Sequence, residues 1–365
     1  LFLELTEDEW YTSIYNHYLR IGENHMHPIK KVFSLISLFL FFLCLCSGCS
    51  SALPSSDPLT RTGFYFDTVI TINLYGCNDR ALLDDCFSIA EKYENLFSAT
   101  IASSEISKIN QAKGKPVTVS EETAALIREG LRYCETSEGG FDITIGKLSS
   151  LWNFSENEGV LPDKKDLAAA VSTVDYNNVI LTGNEVRLKN PDASIDLGGI
   201  AKGYIADKMK AFLTENGALE GTINLGGNVL CLGPKSDGNS YKIGIQNPFH
   251  EKGSILATLE VTNESVVSSG VYERYIRVDD KIYHHILNPS TGYPYENNLL
   301  SVTVICQNSV DGDGLSTTCF SLGLEKGMEL IESLEDTEAV FLTEDDKLHC
   351  SSGIGDTIPF HPKNN

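Results

Sequence analysis

The feature that most limits the fold of this chain is the spacing of its strand-like runs, which follow one another through short turns more often than through helices. Residues 179–181 and 186–188 flank Thr182-Gly183-Asn184, a pattern that predicts a hairpin. The runs 64–75, 221–232, 241–245, 254–262, 272–278, 300–306 and 339–342 are dense in β-branched and aromatic residues and also read as strands. Helical spacing of apolar residues is confined to 79–96, 120–138, 201–215 and 313–331. Ser120-Glu121-Glu122 opens the second of these helices and Gly139-Gly140 closes it. Many hairpin-spaced strands with few regular β-α-β crossovers define an α+β chain, with mixed, largely antiparallel sheets and packed helices.

The 365 residues are 42% apolar and 21% charged, enough apolar surface for one large core or two modest ones. Acidic residues outnumber basic ones 50 to 28, and no dense Lys/Arg block is present, which argues against a nucleic-acid partner. Near the start, Met26 and the pair Lys30-Lys31 precede an apolar run at 32–46 and then Ser47-Gly48-Cys49, a secretory signal too short to span a bilayer comfortably. It resembles a bacterial lipoprotein signal, in which Cys49 becomes the lipidated mature N-terminus, although Leu45 stands four residues before that cysteine and Cys46 three before it. The expected organisation is an upstream extension at 1–25, a signal at 26–48, a Ser/Pro-rich tether at 49–62, a catalytic domain at 63–350 and a tail at 351–365. Anchoring to the cell envelope follows, on the outer face of the cytoplasmic membrane or the periplasmic side of an envelope membrane. Cysteines 77, 86, 134, 231, 306, 319 and 350 form no CxxC pair and have no His at zinc-ligand spacing, so they read as buried thiols.

Several polar, glycine-rich segments carry the chemistry. Gly139-Gly140-Phe141-Asp142 leads to Trp152. In Asp196-Leu197-Gly198-Gly199-Ile200-Ala201-Lys202, paired glycines precede a helix and allow backbone N–H groups to approach an anion, with Lys202 adding a cation. A tight turn followed by a solvated lysine fits the same spacing. A strand runs into Gly226-Gly227-Asn228, and Ser269-Gly270 closes another short segment. His284-His285 stand before Asn288-Pro289 and Thr291-Gly292, a rigid loop able to hold a histidine in one pose. Asp313 and Thr317 are four apart and share a helix face. That pair suits either Mg2+, which needs few protein ligands, or a helix cap with a hydroxyl bonded to the preceding turn.

Taken in order, these segments resemble the FAD:protein FMN transferase family, also called ApbE, from about Phe64 to Leu342, with Ser104-Glu105-Ile106-Ser107-Lys108-Ile109-Asn110 as the family's "SelSriN" segment. The resemblance implies FAD in a cleft between two lobes and Mg2+ on its pyrophosphate. It implies metal binding by Asp313, Thr317 and the carbonyl of Ala201, with His285 or Asp313 taking the proton of the attacking hydroxyl. FAD contacts are expected from Asp142, Asp196, Gly198, Gly199, Lys202, Gly226, Gly227, Ser269, Gly270 and His285. A Thr or Ser hydroxyl of an exported flavoprotein, such as an FMN-binding domain of a membrane redox complex, would attack the FMN-side phosphorus and release AMP. The chain departs from the family at Asn288, where Asp is usual, at Ile143 and Lys147, where Pro is usual, and at Asn153, where Gly is usual. Splitting of FAD by water, storage of FAD without turnover, and solute binding are the competing readings.

Overall fold

Residues 64–75, expected to form one strand, instead belong to a hairpin. β1 (Leu59–Tyr65) pairs antiparallel with β2 (Thr68–Leu74), Phe64 facing Val69, and the chain reverses at Phe66 and Asp67 with φ of 54° and 55°. Two positive φ values match the right-handed twist of the strands, but neither residue is the Gly or Asn that usually announces such a turn. It is held from outside, by the Phe66 N–H donating to Glu94 Oε1 at 2.7 Å and by Arg274 donating to the Asp67 carbonyl at 3.1 Å. The computed structural model describes residues 57–363, apart from residue 158 and residues 251–252, so the expected signal at 26–48 and Cys49 lie outside the described residues. β1 begins within the expected tether, because its alternating residues pair with β2 along their whole length.

The chain continues through α1 (Arg80–Phe97), α2 (Glu105–Gln111), β3 (Val117–Thr118), α3 (Glu121–Thr136), α4 (Gly146–Trp152), α5 (Lys164–Val171), β4 (Val179–Thr182), β5 (Glu185–Leu188) and α6 (Ala201–Glu215). β6 (Gly221–Leu225), β7 (Asn228–Leu232), β8 (Tyr241–Gln246), β9 (Ile255–Val261), β10 (Ser265–Gly270), β11 (Tyr275–Val278), β12 (Lys281–His284) and β13 (Leu299–Cys306) follow. The last elements are α7 (Ser309–Leu322), α8 (Leu324–Glu332), β14 (Glu338–Thr343), β15 (Leu348–Cys350) and β16 (Phe360–Pro362). Helix starts are built by side chains: Asp79, Ser104 and Ser120 accept N–H bonds from Ala81, Ser107 and Thr123. The helix expected at 313–331 starts a turn earlier, at Ser309, and is broken at Gly323, whose φ is 81°. The strand expected at 221–232 is two, reversed at Gly226 and Gly227 with φ of 57° and 91°.

An eight-stranded antiparallel sheet, ordered β1-β2-β6-β7-β10-β13-β14-β15, carries the fold. Its strands alternate between two apolar layers. Val302, Val304, Ala339 and Phe341 join the large core with α1, α6 and α7, whereas Ile305, Val340 and Cys231 join a second cluster under β8 and β9. With both faces buried, the central strands read as continuous apolar runs. β16 adds to β9 in a three-stranded sheet ordered β16-β9-β8, so residues expected to be a tail complete a sheet edge. A third cluster of Leu148, Trp152, Leu167, Ala170, Ile276 and Leu287 lies under β11 and β12. Ser56 to Asn365 form one compact unit, so the two lobes expected from the sequence take the form of separate apolar clusters within one body.

Two local contacts have measurable consequences. α6 and α7 approach so closely that a Cβ on Gly203 would lie 2.2 Å from the Ser309 carbonyl oxygen. Gly203→Ala should therefore destabilise the protein by about 1–3 kcal/mol in denaturant unfolding, through backbone displacement rather than lost burial. His284 is buried, accepts the Ile286 N–H at Nδ1 and donates from Nε2 to the Tyr295 carbonyl at 3.0 Å, and burial lowers its pKa to about 4. A histidine held neutral in the folded state contributes stability that is complete above its unfolded pKa and is lost as pH falls through that value toward the folded one. Unfolding at pH 7 and pH 4.5 should show a smaller acid loss in His284→Gln than in the unaltered chain, by roughly 2 kcal/mol.

Candidate active site

α7 is seated on the sheet by β10 and β13 and is flanked by α6. This places Asp313, in the second turn of α7, against the first turn of α6. Asp313 is 3% exposed, and its Oδ2 accepts the Gly203 N–H at 2.6 Å. Its Oδ1 accepts from Asn228 Nδ2 at 3.0 Å, and Lys202 Nζ lies 3.9 Å from the same oxygen. Burial raises the pKa of this carboxyl, while Lys202, Gly203 and Asn228 oppose the shift. Asn228 is fixed in turn, because its Oδ1 accepts from Ser309 Oγ at 2.6 Å. Asp313 is thus within α7 and does not cap it, so the capping alternative is set aside.

Beside Asp313, Thr317 Oγ1 lies 3.0 Å from Ser269 Oγ, which is 2.8 Å from Ser316 Oγ. Ser269 comes from the end of β10, whose segment was expected to carry a site but not to be a strand. Among the described residues, no three His, Cys, Asp or Glu side chains gather into a metal-binding group. A cation here would meet one carboxylate and the Thr317 hydroxyl, and Ala201, whose carbonyl the resemblance implies as a further ligand, is the first residue of α6. Such a hard, all-oxygen donor set fits Mg2+ and does not fit Zn2+.

His285 reaches the same region from the loop after β12. Its backbone N–H donates to the Arg274 carbonyl at 3.0 Å, and its Nδ1 lies 3.3 Å from that oxygen. A carbonyl can only accept, so Nδ1 carries the proton and Nε2 is left as the basic nitrogen. Burial first, and then the charges of Arg274, His284 and Lys202, lower its pKa to about 3. The Lys202 charge acts on Asp313, on Glu273 and on His285, which brings residues from three distant segments into one electrostatic site. Gly227 completes the wall, since a Cβ there would lie 3.3 Å from Glu273 Oε1.

The expected FAD contacts divide into two groups. Lys202, Gly226, Gly227, Ser269 and His285 border this region, with Gly226 packed against Thr68 and Gly270 against the Tyr272 ring. Asp196 Oδ1 accepts the Gly198 N–H at 2.8 Å and so shapes the turn through Gly198 and Gly199 that enters α6. Asp142, by contrast, is 6% exposed, with Oδ1 accepting from the Thr144 N–H and hydroxyl and Oδ2 from the Tyr176 N–H. The structure uses that carboxylate to build a loop. Asn110 forms a two-way bond with the Ile195 backbone at 2.9 and 2.7 Å, so this one side chain positions the segment entering Gly198-Gly199. Asn288 accepts from the Ser290 and Thr291 N–H groups, acceptor bonds that the usual Asp would make as well.

Asn228 closes one of the glycine motifs without a role being expected of it, and Asp207 was not anticipated at all. Asn228 had a visible signal, a lone amide opening the apolar strand NVLCL and 1% exposed. Asp207 had none, because an acidic residue in the middle of a helix looks like a solvated face.

The sequence profile of the ApbE family matches residues 66–341. An FAD:protein FMN transferase of Klebsiella pneumoniae (strain 342) is 38% identical over 286 residues, covering 78% of this chain and 88% of that protein. The protein of the same name from Treponema pallidum (strain Nichols) is 30% identical over 347 residues, covering 90% and 96%. Among solved structures, the ApbE protein of Thermotoga maritima superposes with a TM-score of 0.74 at 29% identity, covering 81% of this chain and 97% of that one. The flavin transferase ApbE of Vibrio cholerae gives 0.73 at 27% identity, with the same coverage. With its profile matched over most of the chain and a mixed α+β architecture shared with solved relatives, the chain belongs to the ApbE family.

Proposed function

We propose that this protein is a Mg2+-dependent FAD:protein FMN transferase that acts on an exported flavoprotein. The observation that carries the reading is the convergence of a buried carboxylate, a helix N-terminus and a neutral histidine at Asp313, Lys202 and His285. The amides at the start of α6 and Lys202 suit the anionic pyrophosphate of FAD. Asp313, Thr317 and the Ala201 carbonyl would hold Mg2+, which supplies charge neutralisation on the pyrophosphate when bound.

The attacking group is a Thr or Ser hydroxyl of the acceptor. Its oxygen bonds to the FMN-side phosphorus as the bond from that phosphorus to the bridging oxygen breaks. AMP leaves with the bridging oxygen, and the hydroxyl proton passes to a base. Between the candidates, His285 is favoured, because both oxygens of Asp313 already accept hydrogen bonds, whereas His285 Nε2 is unprotonated. With its pKa lowered to about 3, the ring is neutral throughout the physiological range. Cys49, lipidated, would tether the enzyme to the envelope membrane beside an acceptor such as the FMN-binding domain of a redox complex.

The test incubates the purified protein with FAD, Mg2+ and such an acceptor, reading in-gel flavin fluorescence and intact mass. An FMN-sized adduct that requires Mg2+ is expected. Asp313→Ala should remove it, and His285→Asn should slow its formation roughly 100-fold or more at saturating FAD. Free FMN and AMP without an adduct would replace transfer by hydrolysis, and unaltered FAD would leave only binding.

A further inference from the structure

α6 and α7 share a deficiency: neither is capped by its own N-cap side chain. Ile200 stands at the N-cap of α6 and has no group that could cap, and Asn308, at the N-cap of α7, makes no capping bond. Its amide donates instead to Asp311 Oδ2 at 3.0 Å. A helix start leaves backbone N–H groups unsatisfied and carries partial positive charge, so a buried one needs an acceptor from elsewhere. Each helix receives it from the other. Asp207, in α6, accepts the Ser309 and Val310 N–H groups of α7 at 2.8 and 2.9 Å. Asp313, in α7, accepts the Gly203 N–H of α6 at 2.6 Å. Gly203 lets the backbones approach closely enough for both exchanges.

From this geometry we infer that Asp207 is a positioning residue for the metal site, fixing α7 so that Asp313 and Thr317 are presented beside the first turn of α6. It touches neither substrate nor metal. The inference rests on the reading of Asp313 as the metal-binding carboxylate. Asparagine at position 207 would keep one acceptor and turn an amide donor toward an N–H of α7, so α7 would lose half its cap and meet a repulsive contact. Loss of such a supporting contact lowers metal affinity by about 10–100-fold in comparable sites.

The experiment titrates the purified full chain with Mn2+ alone, reading the free ion by electron paramagnetic resonance, with foldedness checked by circular dichroism. Asp207→Asn is expected to raise the Mn2+ dissociation constant about tenfold or more. Glu105→Gln is the control, since Glu105 likewise accepts a backbone N–H at the start of another helix, from Ser120 at 3.0 Å, and it should change Mn2+ affinity less than about twofold. Wild-type affinity in Asp207→Asn, with binding lost in Asp313→Ala, overturns the positioning role alone. Unchanged binding in Asp313→Ala overturns the metal reading and this inference with it. An equal loss in Glu105→Gln reduces the effect to general destabilisation and also overturns the role. If Asp207→Asn does not fold, the unaltered chain decides: saturating Mg2+ should slow amide exchange at Ser309 and Val310 about tenfold, because coupling between metal and cap is reciprocal. Unchanged exchange there overturns the inference.

Discussion

A carboxylate removed from water beside the large core is the constraint around which the centre of this molecule is arranged. An isolated buried charge is costly, and the cost is offset only by close, well-directed partners. Asp313 has such partners on two sides, the Gly203 N–H from α6 and the Asn228 amide from the start of β7. Hydrogen bonds to a charged group contribute roughly 1.5–3 kcal/mol each. Meeting them sets demands on the backbone: α6 must approach α7 without a side chain between them, and β6 must turn into β7 within Gly226 and Gly227 to bring Asn228 beneath the helix. The glycines of the family motifs therefore serve the geometry around one anion as much as they serve a ligand.

The same arrangement separates the charges of the site by role. Asp313 is an acceptor whose oxygens are engaged, and Lys202 is a cation within 3.9 Å of it. His285 is kept neutral by burial and by neighbouring cations, and the Arg274 carbonyl sets its tautomer. Arg274 is itself tied through its side chain to Asp67 in the β1–β2 turn. The proposed base on its loop is thereby referenced to the sheet at its far edge, which limits its drift relative to the helix pair. Phosphoryl transfer to a hydroxyl calls for positioned charge and a base more than for covalent help, which is the use proposed for these parts.

Much of this was legible in the sequence, for identifiable reasons. α1 and α3 were readable because apolar spacing and capping residues agreed, α6 through apolar spacing alone, and the β4–β5 hairpin because Gly183 marks its turn. The β1–β2 turn was not, since Phe66 and Asp67 adopt their conformation through Glu94 and Arg274, both distant in sequence. β10 was missed as a strand because Ser268, Ser269 and Gly270 look like loop residues, although they pair with β13 between two buried layers. In the site, ordered motifs singled out Asp313, Thr317 and His285, whose roles are proposals. Nothing in the Asp142 motif announced its loop partners, because the Thr144 and Tyr176 N–H groups that bind it are backbone groups.

The neighbour relation between β2 and β6 bears on how the chain acquires its shape. Asn73 and Thr222 are hydrogen-bonded at a sequence separation of 149, and everything from α1 to α6 is inserted between those adjacent strands. Closing so long a loop costs little more free energy than closing one of half the length, so final stability is scarcely affected. Its effect is kinetic, because pairing of high contact order is slow and waits for the insertion to become compact. The first hairpin thus remains an open sheet edge during folding until β6 arrives, and it is the segment of this protein most exposed to capture by a wrong strand.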